Sequence, residues 1–258
     1  NFICVDANDD GVMELLVFAT GTSSENPRAE LYSFGTGKRE LIGETRLDST
    51  ITSFESIKYA KTDEGTSIYA DALCADGSSM VTEFIYWSDY YNSIISPFYS
   101  YSTGRTKETL RSSQVTCRDI DDDGYIEIPE DTSSKKQSSE ITSQNWVNYG
   151  NTVLSHKCYS FSCKRDGYIL VIDDDDFSKV KANYDSESRK LTIINKKNKS
   201  NVFEIVTLIN SNYSVNDPKY KDYTMIMKNS GFVYLAKVNK SSDIDINIQT
   251  LKDMIKVY

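Results

Sequence analysis

Asp119, Asp121, Asp122, Asp123 and Glu127 place five acids within nine positions, with Gly124 among them. Like charges this close repel, so a chain that keeps them together is expected to hold a cation there. The run "CRDIDDDGYIEIPE" from Cys117 has a counterpart in "CVDANDDGVMELLV" from Cys4, 113 residues earlier. Both read C-x-D-x-[D/N]-x-D-G-x-x-E. The alignment sets Asp6, Asn8, Asp10, Gly11 and Glu14 against Asp119, Asp121, Asp123, Gly124 and Glu127.

That donor set suits a hard divalent ion. Calcium takes six to eight oxygens at roughly 2.3–2.6 Å, and alternate residues of a tight loop can aim carboxylates at one point. A glycine at the sixth position tolerates the positive φ of a sharp turn. The next residue, Val12 or Tyr125, is expected to offer its backbone carbonyl, and the glutamate three past the glycine closes the shell. Magnesium wants fewer protein ligands and stricter octahedral geometry, so calcium is the expected ion. A lone D-D-G would read as an ordinary solvated turn; two matching copies favour the metal.

An EF-hand or dockerin-like assembly module is the alternative calcium loop. Its bidentate acid belongs at position twelve. Counting from Asp119 gives Glu130, which fits, but counting from Asp6 gives Val17, which does not. EF-hand loops also leave into a helix, whereas "YIEIP" and "VMELLVFAT" read as strands and Pro129 opposes a helix.

The loop resembles those of FG-GAP or VCBS-type repeats, in which D-x-[D/N]-x-D-G-x-x-[D/E] joins the early strands of a propeller blade. The resemblance implies metal-ligand roles for Asp6, Asn8, Asp10 and Glu14, and for Asp119, Asp121, Asp123 and Glu127. The separation of the loops is about twice a blade's length, so a middle unit is expected. Aligning Gly65 with Gly11 and Gly124 gives spacings of 54 and 59 and puts Ala60, Thr62, Glu64 and Ile68 at the ligand positions. That unit keeps the turn and has lost the metal. The expected fold is mainly β, with blade-like antiparallel units over 1–135 in a partial propeller-like arrangement. Three blades do not close a propeller.

Charge sharpens the division. Residues 1–140 carry 25 acids against 12 bases, whereas 141–258 carry 13 against 17. Such a break predicts two domains, and a net charge of −9 argues against nucleic acid as a partner. The polar run at 131–141 reads as the linker, with the break between 131 and 145. Beyond it, strands are expected at 157–163, 167–172, 179–184, 189–195, 201–209, 223–228 and 231–238. A terminal helix over 247–257, capped near Asp245 or Asn247, completes a smaller α+β domain over 142–258. This arrangement, with Trp146-Val147-Asn148-Tyr149 after the acidic loop, resembles uncharacterised lipoprotein-like surface proteins of Gram-positive gut bacteria. That resemblance implies an extracellular or cell-surface location and a lipid anchor upstream of the chain. The sequence opens on "NFICVD", a strand already under way without an initiator Met, and reads as mature, trimmed or incomplete at its start.

No run of eighteen apolar residues exists, so no membrane span is expected. Five cysteines without a C-x-x-C, and a single His156, exclude an ordinary Cys/His zinc site and read as unpaired core thiols. "DDDD" at 173–176 reads as a solvated turn rather than a second metal site. The aromatic run at 84–101 reads as core packing, with sugar stacking as its functional alternative. G-x-S-x-G, H-E-x-x-H and Walker A motifs are missing. The expected function is therefore a calcium-stabilised surface or secreted binding or adhesion module, not an enzyme, whose ligand is an unidentified protein or glycan. A carboxylate-based glycan-acting enzyme or its accessory module, and a purely structural or assembly role, stand as alternatives.

Overall fold

The computed structural model describes the chain apart from residues 36, 63–64, 133–139, 151–152, 213, 215–216, 240–241 and 258, and apart from the side chain of 212. Among the described residues it is mainly β, 54% strand and 8% helix, in several antiparallel sheets with a small helix near the C-terminus and no closed barrel, consistent with a partial propeller-like β fold. Among the described residues no helix is long and apolar enough to cross a membrane. The chain divides into two compact units, Asn1–Asp131 with Trp146–Lys157, and Thr132–Asn145 with Cys158–Tyr258. Most of the expected linker at 131–141 lies outside the described residues.

In the first unit β1 (Phe2–Val5), β2 (Glu14–Ala19), β3 (Arg28–Ser33) and β4 (Glu40–Arg46) form one meander. A second comprises β5 (Ile51–Thr62), β6 (Gly65–Cys74), β7 (Met80–Ser88) and β8 (Ser93–Ile95). The period-two alternation of "ELLVFA" buries Glu14, Leu16 and Phe18 and leaves Leu15, Val17 and Ala19 half-buried. That alternation is what turns Glu14 inward. Leu16 and Leu31 of the first sheet share a core with Ile68, Ala70 and Ile85 of the second. Full burial of each such Leu or Ile contributes roughly 1.5–3 kcal/mol.

A short pair, β9 (Tyr99–Ser100) and β10 (Arg105–Thr106), follows, then β11 (Ile128–Asp131). The strands β12 (Ile141–Gly150) and β13 (Val153–Cys163) have residues in both units. Their residues 146–157 fall in the first unit, where Val147, Tyr149 and Leu154 join Tyr69, Phe84, Cys117 and Ile128 in a second core. The "W-x-N-Y" segment is thus structural: Trp146 is fully buried, and the Tyr149 ring lies 4.2 Å from Phe84.

In the second unit β13 pairs with β14 (Tyr168–Ile172), and after α1 (Asp174–Lys179) come β15 (Val180–Asp185), β16 (Lys190–Asn195), β17 (Asn201–Ile209), β18 (Thr224–Lys228) and β19 (Phe232–Val238). These last five form a sheet in the order β15-β16-β17-β19-β18. The helix α2 (Ile248–Met254) packs on β18 and β19 through its buried Leu251. It is capped by Asn247, whose Oδ1 accepts from the N–H groups of Gln249 and Thr250. The helix is shorter than the expected 247–257, because Ile255–Val257 pair with β14 as β20. The β-branched Ile255 and Val257 serve a sheet edge better than a helix end.

Among the described residues no disulfide joins the cysteines. Cys74, Cys117 and Cys163 are buried, Cys158 is half-buried, and Cys4 is exposed on an outer strand, so the expectation of core thiols does not extend to Cys4.

Candidate metal centre

Both acidic loops join antiparallel partners in the same register. Val5 pairs with Glu14 across the first, and Arg118 with Glu127 across the second. Each loop then repeats one backbone pattern. Asp9 and Gly11 have φ of 58° and 85°, and Asp122 and Gly124 have 65° and 91°. A Cβ at either glycine would meet nothing within 4 Å, so it is the left-handed backbone that calls for glycine there.

The hydrogen bonds repeat as well. The N–H groups of Ala7 and Ile120 donate to Oε2 of Glu14 and Glu127 at 3.0 and 2.9 Å. Those of Gly11 and Gly124 donate to Oδ2 of Asp6 and Asp119 at 3.1 and 2.8 Å. Those of Val12 and Tyr125, both exposed, donate to Oδ1 of Asp10 and Asp123 at 2.8 and 2.9 Å. Asp6, Glu14 and Glu127 are therefore each held by a backbone donor on one oxygen, whereas Asp119 is held on both, its Oδ1 accepting from the Asp123 N–H at 3.0 Å.

Glu127 is 0% exposed and its Oε1 has no hydrogen-bond partner, and neither does Oδ1 of Asp6 in the first loop. A buried carboxylate oxygen without a donor is costly unless a cation satisfies it. In the second loop one oxygen each of Asp119, Asp121 and Glu127 lies within 4.8 Å of the others. Burial, reinforced by the charges of Asp121 and Asp123, pushes the Glu127 carboxyl up to about 7. Burial, with Asp10 and Asp6 adding to it, likewise raises Glu14 above the ordinary carboxylate range. These are the shifts expected where buried carboxylates lie near other carboxylates.

Other residues expected as ligands are turned to other partners. Asp10 Oδ2 accepts from the Asn8 side-chain amide at 3.1 Å, and Asn8 Oδ1 accepts from the Asp10 N–H at 3.2 Å. In the second loop the Lys157 ammonium, from β13, sits 3.0 Å from Asp121 Oδ2 and 2.5 Å from Asp123 Oδ2. For Asp123 burial works upward, but the hydrogen bonds from Lys157 and the Tyr125 N–H outweigh it and hold the carboxyl below its usual value. The bonds from Asp123 and Asp121 raise Lys157 well above the ordinary lysine value.

Two supports of the loops lie outside the motif. The second is anchored at Cys117, whose N–H donates to Asp71 Oδ2 at 2.9 Å, while Asp71 Oδ1 is held by buried Arg111 at 2.8 Å. The first reaches the hairpin between β5 and β6, where Thr66 bonds to Asp9. This hairpin is the expected middle unit. Thr62 pairs directly with Gly65, whose φ is 107°, so only two residues separate the paired strands where the other units have an acidic loop. Glu64 lies outside the described residues. Neither Lys157 nor Thr66 is marked by any spacing, because both arrive from other strands.

Elsewhere, "DDDD" forms the first turn of α1 rather than a turn in the coil: Asp173 is at its N-cap position and Asp174–Asp176 follow, where acids suit the helix dipole. The aromatic run divides. Phe84 is buried against Tyr69, Tyr86, Phe98 and Tyr149. Tyr90, Tyr91 and Tyr101 are 87%, 66% and 74% exposed, with Tyr90 and Tyr91 edge to face in the turn between β7 and β8.

No protein-family model matches the chain, and no curated protein matches it.

Proposed function

We propose that the chain is a calcium-stabilised binding module of a secreted or cell-surface protein. The observation that carries the reading is Glu127, fully buried with one oxygen unpartnered, and with its carboxylate within 4.8 Å of oxygens of Asp119 and Asp121. In this reading Asp119, Asp121, Asp123 and Glu127 hold one calcium ion, with the Tyr125 carbonyl completing the shell. Asp6, Asn8, Asp10, Glu14 and the Val12 carbonyl hold another. All donors are oxygens, which suits a hard cation, and two registers that match residue for residue argue for one shared purpose. Solvent-facing loops of this kind bind at about 10⁻⁴–10⁻³ M in extracellular modules, so they are useful where calcium is abundant outside the cell.

The exposed tyrosines favour a glycan as the ligand. Aromatic faces with a polar edge stack on sugar rings, and three of them stand clear of the first unit's core. A screen of immobilised glycans and peptides in calcium tests this. Glycan retention lost on Tyr90→Ala and Tyr91→Ala supports the reading. Retention by peptides alone would replace the glycan by a protein ligand, and retention of neither would remove the binding role.

A further inference from the structure

We propose that Lys157 is a built-in counter-cation of the second acidic loop, which the bound metal ion must displace. The inference rests on the reading of the loops as calcium sites and concerns how one of them is controlled.

The two loops share a backbone, so their difference is chemical. The first has three carboxylates among its four side-chain ligands, with Asn8 as the fourth; the second has four, with Asp121 in place of Asn8. In the first loop the Asn8 amide donates to Asp10, so the third and fifth positions satisfy each other without outside help. Asp121 has no donor to offer Asp123. Instead, Lys157 reaches in from β13, 34 residues on from Asp123, and contacts both carboxylates. An ammonium offers three donors and a compact charge, and it lowers the loop's net charge to that of the first.

Lys157 satisfies only the outer half of the site. It engages Asp121 and Asp123, while Glu127, which has a carboxylate oxygen within 4.8 Å of oxygens of Asp119 and Asp121, keeps its buried Oε1 without a hydrogen-bond partner. A metal ion that serves Glu127 also needs the oxygens Lys157 now holds. Among the described residues the first loop shows no ion pair from a lysine to its proposed ligands; its nearby Lys61 pairs with Asp9 Oδ1 at 2.8 Å, outside the ligand set. Lys157 thus keeps the metal-free second loop assembled and weakens its hold on calcium. A unit charge a few ångströms from a divalent ion, even at high dielectric, is worth about tenfold or more in affinity.

Calcium calorimetry on the full chain tests this, with the first loop silenced by Asp10→Ala or the second by Asp123→Ala. In the Asp10→Ala background, Lys157→Met is expected to tighten the remaining site about tenfold. In the Asp123→Ala background the same change should leave the remaining site within about twofold, given the shielding of the distant charge. In EDTA, Lys157→Met should lower the melting temperature, because four carboxylates lose their counter-charge. Lys157→Gln serves as a second variant if Lys157→Met does not fold. Unchanged or weaker binding at the second loop overturns the role of Lys157 and leaves the calcium reading intact. Absence of calcium uptake by every variant and by the unmodified chain overturns both.

Discussion

The Asp9 carboxylate accepts two hydrogen bonds from Thr66, from its N–H at 3.2 Å and from its hydroxyl at 3.1 Å. The pair joins the first acidic loop to the hairpin between β5 and β6. Lys61 adds an ion pair, and its hydrogen bond is the main reason Asp9 lies below the ordinary carboxylate range. Sheets one and two are therefore linked at their loop ends by polar contacts as well as by their shared core.

Asp9→Ala is expected to cost about 1–2 kcal/mol, a drop of a few degrees in Tm at this chain length. Thr66→Val removes only the hydroxyl and should cost less. A double-mutant cycle should give a coupling of about 0.5–1 kcal/mol. Additive effects in thermal melts would mean that the contact does not link the two elements.

Gly11→Ala and Gly124→Ala should each cost about 1–2 kcal/mol. The space around both is open, so the whole cost comes from their positive φ. Melting curves in EDTA isolate this backbone term from metal binding. No change in Tm would indicate that the loops do not hold the left-handed conformation.

Glu83 supplies a pH signature away from the loops. Burial pushes its carboxyl from 4.5 up to about 7, against the hydrogen bonds from the Asp48 N–H, Ser96 and Thr106, with the Asp48 charge adding to the rise. The groups facing it are Asp48, which Arg105 pairs at 2.9 Å, and the hydroxyls of Ser96 and Thr106. Because the folded value is the higher one, the folded state binds more protons between 4.5 and about 7. The stability this group contributes is complete below the lower value and is lost as pH rises through the upper one. Between about pH 4.5 and 8 that loss is on the order of 3 kcal/mol. Glu83→Gln cannot titrate, so denaturant melts of the variant relative to the unmodified chain should improve by this amount across the window. A pH-independent difference would mean that Glu83 is not protonated in the fold.

Much of this was legible in the sequence, for identifiable reasons. Seven expected strands beyond residue 157 are strands in the structure, because β-branched residues alternate there between clear turns. Asn247 was recognisable as a cap from its place before Ile248. The matching loop registers followed from the repeat, since the spacing from aspartate to glutamate fixes which residues pair. What depended on tertiary contact was hidden. The return of residues 146–157 to the first unit leaves no compositional mark, and the charge break at 140 instead suggested a cut before them. Lys157 looks like any surface lysine until β13 carries it to Asp121 and Asp123. The final strand at Ile255–Val257 carried a helical spacing, and its pairing with β14 overrode that pattern.

Calorimetric titration of the EDTA-stripped chain with calcium tests the central claim most directly. The account predicts uptake of about two ions per chain, one per acidic loop, with one lost on Asp123→Ala and the other on Asp10→Ala. Saturation should raise Tm, since a free concentration of about a hundred times Kd stabilises an independent site by about 2.7 kcal/mol. No heat of binding, together with a Tm that is the same in calcium and in EDTA, would contradict it and leave the two loops as acidic turns.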